Sequence, residues 1–178
     1  EVVDADNRHK FITGLNVAIG MNKDLLFFMQ NDVYLHKDCL YEMIFNKPSS
    51  KFIAQPVILQ SDLDIDNAGM NFRWPGFGER ISYPWWSLKP WPHLICGLVS
   101  TICFLTDNSG YFYDELFSPA YYEDIDFYIR TKKELNHVLV PSAKAIHRGN
   151  HTFSESYKKD EIRKICHEHR LKLVRKHY

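Results

Sequence analysis

Cysteine is scarce in this sequence: Cys39, Cys96, Cys103 and Cys166 are the only four in 178 residues, and no two form a C-x-x-C pair. That spacing argues against a disulfide framework or a zinc knuckle and is the usage of free thiols in a reducing, cytoplasmic setting. Neither sign of charge is in excess, with 22 Lys and Arg against 22 Asp and Glu, so nucleic acid is not an expected partner. No apolar run approaches the roughly 20 residues of a membrane span. Repeats, low-complexity tracts, an initial methionine and a signal-peptide pattern are lacking as well. What is there is an apolar content of 45%, enough for a single domain over 1–178 with a real core.

Strand and helix patterns alternate over the first sixty residues. "EVVDADN" reads as the tail of a buried strand and "FITGLNVAIGM" as a short helix. "DLLFFMQNDV" is a continuous apolar run of the kind found in parallel strands buried on both faces. "HKDCLYEMIF" is amphipathic and helical, with Cys39, Met43 and Ile44 on one side, and "NKPSS" stops it. "KFIAQPVIL" is a further strand. This order predicts an α/β fold, a mostly parallel central sheet flanked by helices in the Rossmann-like manner, whose ligands gather beyond the carboxyl ends of the strands. From Asn71 to Trp91 the texture changes. All four tryptophans lie there, and Pro75, Pro84, Pro90 and Pro92 interrupt any helix in and just beyond it, so an irregular excursion is expected. "LICGLVSTICFLT" returns as strand, "DNSGY" turns, and "FYDELFSPAYYEDIDFYIRTKKEL" brings a turn and a helix. "HVLVPSAKAIH" is a late strand, and the tail from Ser154 onward reads as a basic helix.

The stretch "YYEDIDFYIR", 121–130, places Glu123, Asp124 and Asp126 among Tyr121, Tyr122, Phe127 and Tyr128. A plain reading covers part of it. Asp126 and Arg130 are four apart on a helix and can pair, and acids at a helix amino terminus favour its dipole. A working reading needs a second acid, and Asp32 supplies one at the close of an apolar strand, where a sheet offers side chains to a ligand. A hard divalent cation takes oxygen ligands, often one or two carboxylates plus substrate phosphates. One acid on a diphosphate-bound metal and another removing a proton from a hydroxyl describe sugar transfer from a nucleotide donor.

The ordered series "VVDADN", "LNVAIGMNKDLLFFMQNDVYLHKDCL", "DIDNAGMNF", "GYFYDELFSPAYYEDIDFYIR" and "VPSAKAIHRGNHTFS" resembles family 2 glycosyltransferases of the GT-A fold, nearest the rhamnosyltransferase-like branch. The resemblance runs from Val2 to Ser154. It implies a nucleotide-sugar donor, a glycan, glycoprotein or glycolipid acceptor, and Mn2+ or Mg2+ as cofactor. It further implies that Asp4 meets the base or ribose and that Asn16, Gln30, Asn31 and Asp32 belong to the donor site. Asp32 and His147 would hold the metal, Asp124 would be the catalytic base, and Glu123 beside it would position acceptor or base. Gln30 stands where an acid or asparagine is usual, so "QND" is an incomplete D-x-D. The chain opens at what resembles the second strand of that fold, and the first strand is expected upstream of Glu1. On this reading residues 1–60 form the donor half, 61–153 the acceptor and catalytic half, and 154–178 a C-terminal basic helix.

Other features of the chain admit plainer or rival readings. Asp62, Asp64 and Asp66 form a richer acid repeat, but a calcium loop would need glycine and glutamate where Asn67 and Arg73 stand, so a solvated turn is expected. His151, His167 and His169 lack the third ligand of a zinc site and read as surface residues. Trp85 and Trp86, with Tyr122, are the expected acceptor platform, since sugar faces stack on rings with a polar handle; core packing is the plain alternative. In the tail, Ile162, Ile165, Cys166 and Leu173 share a stripe that could dock on anionic lipid, making the protein membrane-associated, or pack on its own domain. A sugar nucleotidyltransferase would need a glycine-rich basic phosphate loop, which these residues do not contain. A non-catalytic carbohydrate-binding module would rest on the tryptophan loop alone.

Overall fold

The computed structural model describes residues 11–21, 23–60, 64–73, 77–80, 93–148 and 157–178, with backbone only over 71–73 and 77–80. The helices are α1 (Phe11–Gly20), α2 (Cys39–Asn46), α3 (Glu123–Thr131) and α4 (Lys159–His177). The strands are β1 (Leu25–Met29), β2 (Val33–Leu35), β3 (Phe52–Leu59), β4 (Ile65–Asn67), β5 (Met70–Arg73), β6 (Phe77–Arg80), β7 (Leu94–Ile95), β8 (Cys103–Asp107) and β9 (Asn136–His147).

The main sheet runs β1-β8-β3-β9-β2, with β4 added to β3 and β7 to β9. It is mixed, not mostly parallel: β3 with β9 is parallel, and every other described pairing is antiparallel. The run "LLFFM" misled the sequence reading, because β1 is an antiparallel edge strand with only Leu26 buried. The expected long strand over 94–106 is also broken. Only Leu94–Ile95 and Cys103–Asp107 are strands, and the chain between them crosses from β9 to β8.

Helices on both faces are present, and β3 shows why. Its eight residues are all buried, as a central strand covered on two sides requires. Ile53, Val57 and Leu59 face one cluster, with Ile12, Leu15 and Ile19 of α1, Ile125 and Phe127 of α3 and Leu173 of α4. Phe52, Ala54 and Ile58 face the other, with Cys39 and Met43 of α2. Each Val, Leu, Ile, Phe or Met among them contributes about 1.5–3 kcal/mol by leaving water. Ile44, expected on the buried side of α2, is exposed. Pro56 sits where the β3–β9 register shifts, the place a central strand tolerates a residue without an N–H. Aromatic stacking of Tyr113 on Phe127, at 4.3 Å and 17°, ties the segment before α3 to that helix.

The consequence for a site is positional. β3 and β9 run parallel and end together, with Leu59 opposite Ile146, so Leu59 and His147 mark one rim of the sheet. Among the described residues no helix is long and apolar enough to cross a membrane.

Candidate active site

At that rim the chain leaves β1 through a tight turn. Gln30 N–H donates to Ile102 O at 2.9 Å, and Val33 N–H donates to Gln30 O at 3.1 Å. β2 then lies on β9 with Val33 opposite His147, which brings the preceding residue, Asp32, to that histidine. Asp32 Oδ2 is 3.4 Å from His147 Nε2. On the other ring nitrogen, Asp66 Oδ2 of β4 is 3.6 Å from Nδ1. The sequence reading placed Asp66 in a solvated turn, and the structure corrects this: Asp66 is in a strand, with a side chain only 18% exposed. The alternation Leu63-Asp64-Ile65-Asp66, polar at every second residue, carried the signal for a strand.

The chemistry of this trio fits a divalent cation held by two protein donors. Asp32 Oδ1 and His147 Nε2 are buried atoms without a hydrogen-bond partner, and buried polar atoms require one. Two donors each about 2.1 Å from one octahedral ion sit about 3 Å apart, close to the observed spacing. No group of three or more His, Cys, Asp or Glu among the described residues could hold a metal ion. The ring explains that: Asp32 and Asp66 approach different nitrogens, so they cannot converge on one ion through His147. Asp66 lies instead beside the other ring nitrogen, at an ion-pair distance.

From this rim toward α3 polar groups follow one another, joined partly by hydrogen bonds and partly only as chain neighbours. Asn67, beside Asp66, accepts from Gln55 Nε2 at 3.1 Å. Gln55 Oε1 accepts from Ser100 N–H at 2.9 Å. The next residue, Thr101, donates its hydroxyl to Glu123 Oε1 at 3.0 Å. Among the described residues, the buried side-chain atoms lacking a partner are Asp32 Oδ1, Asn67 Nδ2, Ser100 Oγ, Glu123 Oε2 and His147 Nε2. All five belong to the rim or to this series of groups. Gln55, wholly buried in a central strand, is the residue that sequence reasoning missed; a glutamine inside the apolar run "FIAQPVIL" was its mark.

The adjacent acids of α3 occupy different surroundings. Glu123 is buried, and desolvation, with the Asp124 charge beside it, pushes its pKa up to about 8. Asp124 is half-buried, and its Oδ1 accepts from Ile125 N–H at 2.8 Å. The two adjacent carboxyls thus face unlike surroundings, one enclosed and one half-buried. The aromatic wall is real on one side: Tyr113 is fully enclosed and its pKa is raised by burial, then by Asp124 and Glu123. The turn ahead of α3 is strained, with Tyr121 and Tyr122 both at φ 72°, a region β-carbon-bearing residues rarely enter.

Asp126 has a third role. Its fully buried carboxylate meets Arg130 Nε at 2.8 Å, Lys176 Nζ at 2.6 Å and His177 Nε2 at 2.8 Å. The expected pairing with Arg130 is present, and α4 adds two more partners. His169, expected on the surface, is 3% exposed. Along the expected stripe of α4, Leu173 is fully buried and Ile162, Ile165 and Cys166 are half-buried.

The remaining expected site residues divide plainly. Asn16 exchanges two hydrogen bonds with the Tyr113 main chain, both at 2.8 Å, and so clasps α1 to the segment before α3. Gln30 and Asn31 share the β1–β2 turn with Asp32, and Asn31 is exposed. Tyr122 caps the strained turn and is half-buried. Asp4, Asp62, Trp85, Trp86 and His151 lie outside the described residues.

No family model matches the chain, and no curated protein matches it. Among solved structures it is similar to the crystal structure of GalNAc-T7 with UDP, GalNAc and Mn2+, at a TM-score of 0.60 and 11% identity. The match covers 82% of this chain and 32% of that one, so the chain spans about a third of that structure's length. The fold is GT-A-like.

Proposed function

We propose that this protein is a metal-dependent, inverting glycosyltransferase that moves a sugar from a nucleotide-diphosphate donor to an acceptor hydroxyl. The observation that carries the reading is the set of polar side chains Asp32, His147, Asn67, Gln55, Ser100, Thr101 and Glu123, which holds every partnerless buried side-chain atom of the described residues. A GT-A-like fold, and the likeness of the ordered motifs to family 2 glycosyltransferases of the rhamnosyltransferase-like branch, favour it over a binding module.

Asp32 and His147 would hold Mn2+ or Mg2+ with the donor diphosphate. When bound, such an ion supplies positive charge against the diphosphate as the sugar leaves. Asp124 takes the proton of the acceptor hydroxyl while that oxygen forms its bond to the anomeric carbon. The bond from that carbon to the phosphate oxygen breaks, and its electron pair stays on the diphosphate. Attack from the face opposite the leaving group inverts the anomeric centre. Glu123, the residue before the base, keeps its own proton at neutral pH and is tied to Thr101. The acceptor is a glycan, glycoprotein or glycolipid.

The test is transfer, or donor hydrolysis, with Mn2+ and with chelator, in the wild type and in Asp124→Asn. Replacing a general base is expected to lower turnover by roughly 10²–10⁴-fold, with nucleoside diphosphate binding retained in a thermal-shift assay. Retained turnover, or lost nucleotide binding, contradicts the role given to Asp124.

A further inference from the structure

α4 does not attach to the domain by apolar contact alone. It meets the chain on both sides of Asp124 through polar groups. Ahead of the acid, His169 Nδ1 lies 3.0 Å from Ala120 O and 3.1 Å from Tyr121 O. Both partners are carbonyl oxygens, which only accept, so Nδ1 carries the ring proton and donates to the two together. Burial lowers the His169 pKa. The Phe117 ring stands edge-on to the imidazole at 5.8 Å and fixes its plane.

The residues held this way need holding. Tyr121 and Tyr122 are consecutive left-handed residues other than glycine, each costing about 1–3 kcal/mol unless the surroundings impose the conformation. Tyr122 is the amino-terminal cap of α3 and makes no side-chain capping bond. Beyond the acid, Lys176 and His177 grip Asp126, and Lys176 also meets Asp114 at 2.6 Å. Glu123 and Asp124 therefore start a helix whose entry and first turn are both tied to α4.

We infer that α4 is part of the catalytic apparatus, with His169 a positioning residue that holds the strained Tyr121–Tyr122 turn and so aims Asp124. This rests on the glycosyltransferase reading above for what Asp124 does, and on the contacts of α4 for how it is aimed. Three of the basic groups of the tail, Lys172, Lys176 and His177, are accordingly turned to Leu116 O, Asp114 and Asp126.

The experiment compares His169→Leu with His169→Asn in the full chain; asparagine keeps an N–H donor near the Nδ1 position. Three quantities are read: kcat and KM in transfer, Mn2+-dependent binding of uridine diphosphate, and amide hydrogen exchange over residues 121–126. Since small misplacement of a reacting group can cost roughly 10²-fold, His169→Leu should lose about that factor in kcat and His169→Asn no more than about threefold. KM for the donor and uridine diphosphate binding should hold in both, and exchange over 121–126 should quicken in His169→Leu alone. Unchanged exchange, or an asparagine variant as impaired as the leucine variant, overturns the inference. A wild-type chain that turns over no donor overturns the transferase reading instead, while the exchange and rescue results still decide whether α4 holds the turn. If His169→Leu does not fold, Lys176→Met loosens the second anchor and is read by the same three quantities.

Discussion

Asp66 Oδ2 and His147 Nδ1 lie 3.6 Å apart, while Asp32 faces the other nitrogen of the same ring. On the metal reading proposed above, a carboxylate on that side of the ring favours the proton on Nδ1 and Nε2 as the ligand atom. Substituting Asp66→Asn is expected to weaken Mn2+ binding by about 10- to 100-fold. The exposed neighbour Asp64→Asn should leave it unchanged. Titration of Mn2+ followed by electron paramagnetic resonance measures both, with equal affinities in the two variants as the contrary result.

Glu123 sets a pH dependence whose sign follows from its burial. Its pKa stands at about 8, above the ordinary 4.5, so the folded protein holds a proton that the unfolded chain has released between those values. The stability it contributes is complete below the ordinary carboxylate range and is lost as pH rises through about 8, at a slope of up to about 1.4 kcal/mol per pH unit. Glu123→Gln should remove that slope, making the variant less sensitive than the wild type between pH 5 and pH 8 in chemical denaturation. Parallel curves for the two proteins would show that the carboxyl ionises freely.

His137 acts at the other end of the scale. It is buried beside Thr131 and Val99, and desolvation pushes its pKa down to about 4 from 6.5. The folded state refuses a proton that the unfolded chain accepts, so stability is complete above 6.5 and is lost as pH falls through about 4. Denaturation curves at pH 6.5 and pH 4.5 should differ less for His137→Gln than for the wild type, and an unchanged difference would place the acid sensitivity elsewhere.

Much of this was legible in the residues, and the failures have physical causes. The helices at 11–20, 39–46 and 123–131 carry periodic apolar faces, and β3 and β9 are apolar runs between turn residues, so their types could be read. Strand direction could not. β1 and β3 are both apolar, yet one is an antiparallel edge and the other a covered centre, because pairing depends on residues roughly fifty to eighty positions away. Asp32, His147, Glu123 and Asp124 stand out in the sequence through their likeness to an ordered motif set. Asp66 and His169 were set aside because each looks solvated in its local sequence. A tertiary partner decides both: an imidazole from β9 for one, two carbonyls ahead of α3 for the other.

The most direct test asks whether the metal side and the base side belong to one cleft. Mn2+ bound with a nucleoside diphosphate is paramagnetic and broadens the amide signals of nearby residues. Titrated into the 15N-labelled chain, it should broaden Thr101, Glu123 and Asp124 together with Asp32 and His147, and Asp32→Asn should abolish both effects at once. Broadening confined to the Asp32 side, or undiminished at Glu123 and Asp124 in the Asp32→Asn variant, would contradict a single site.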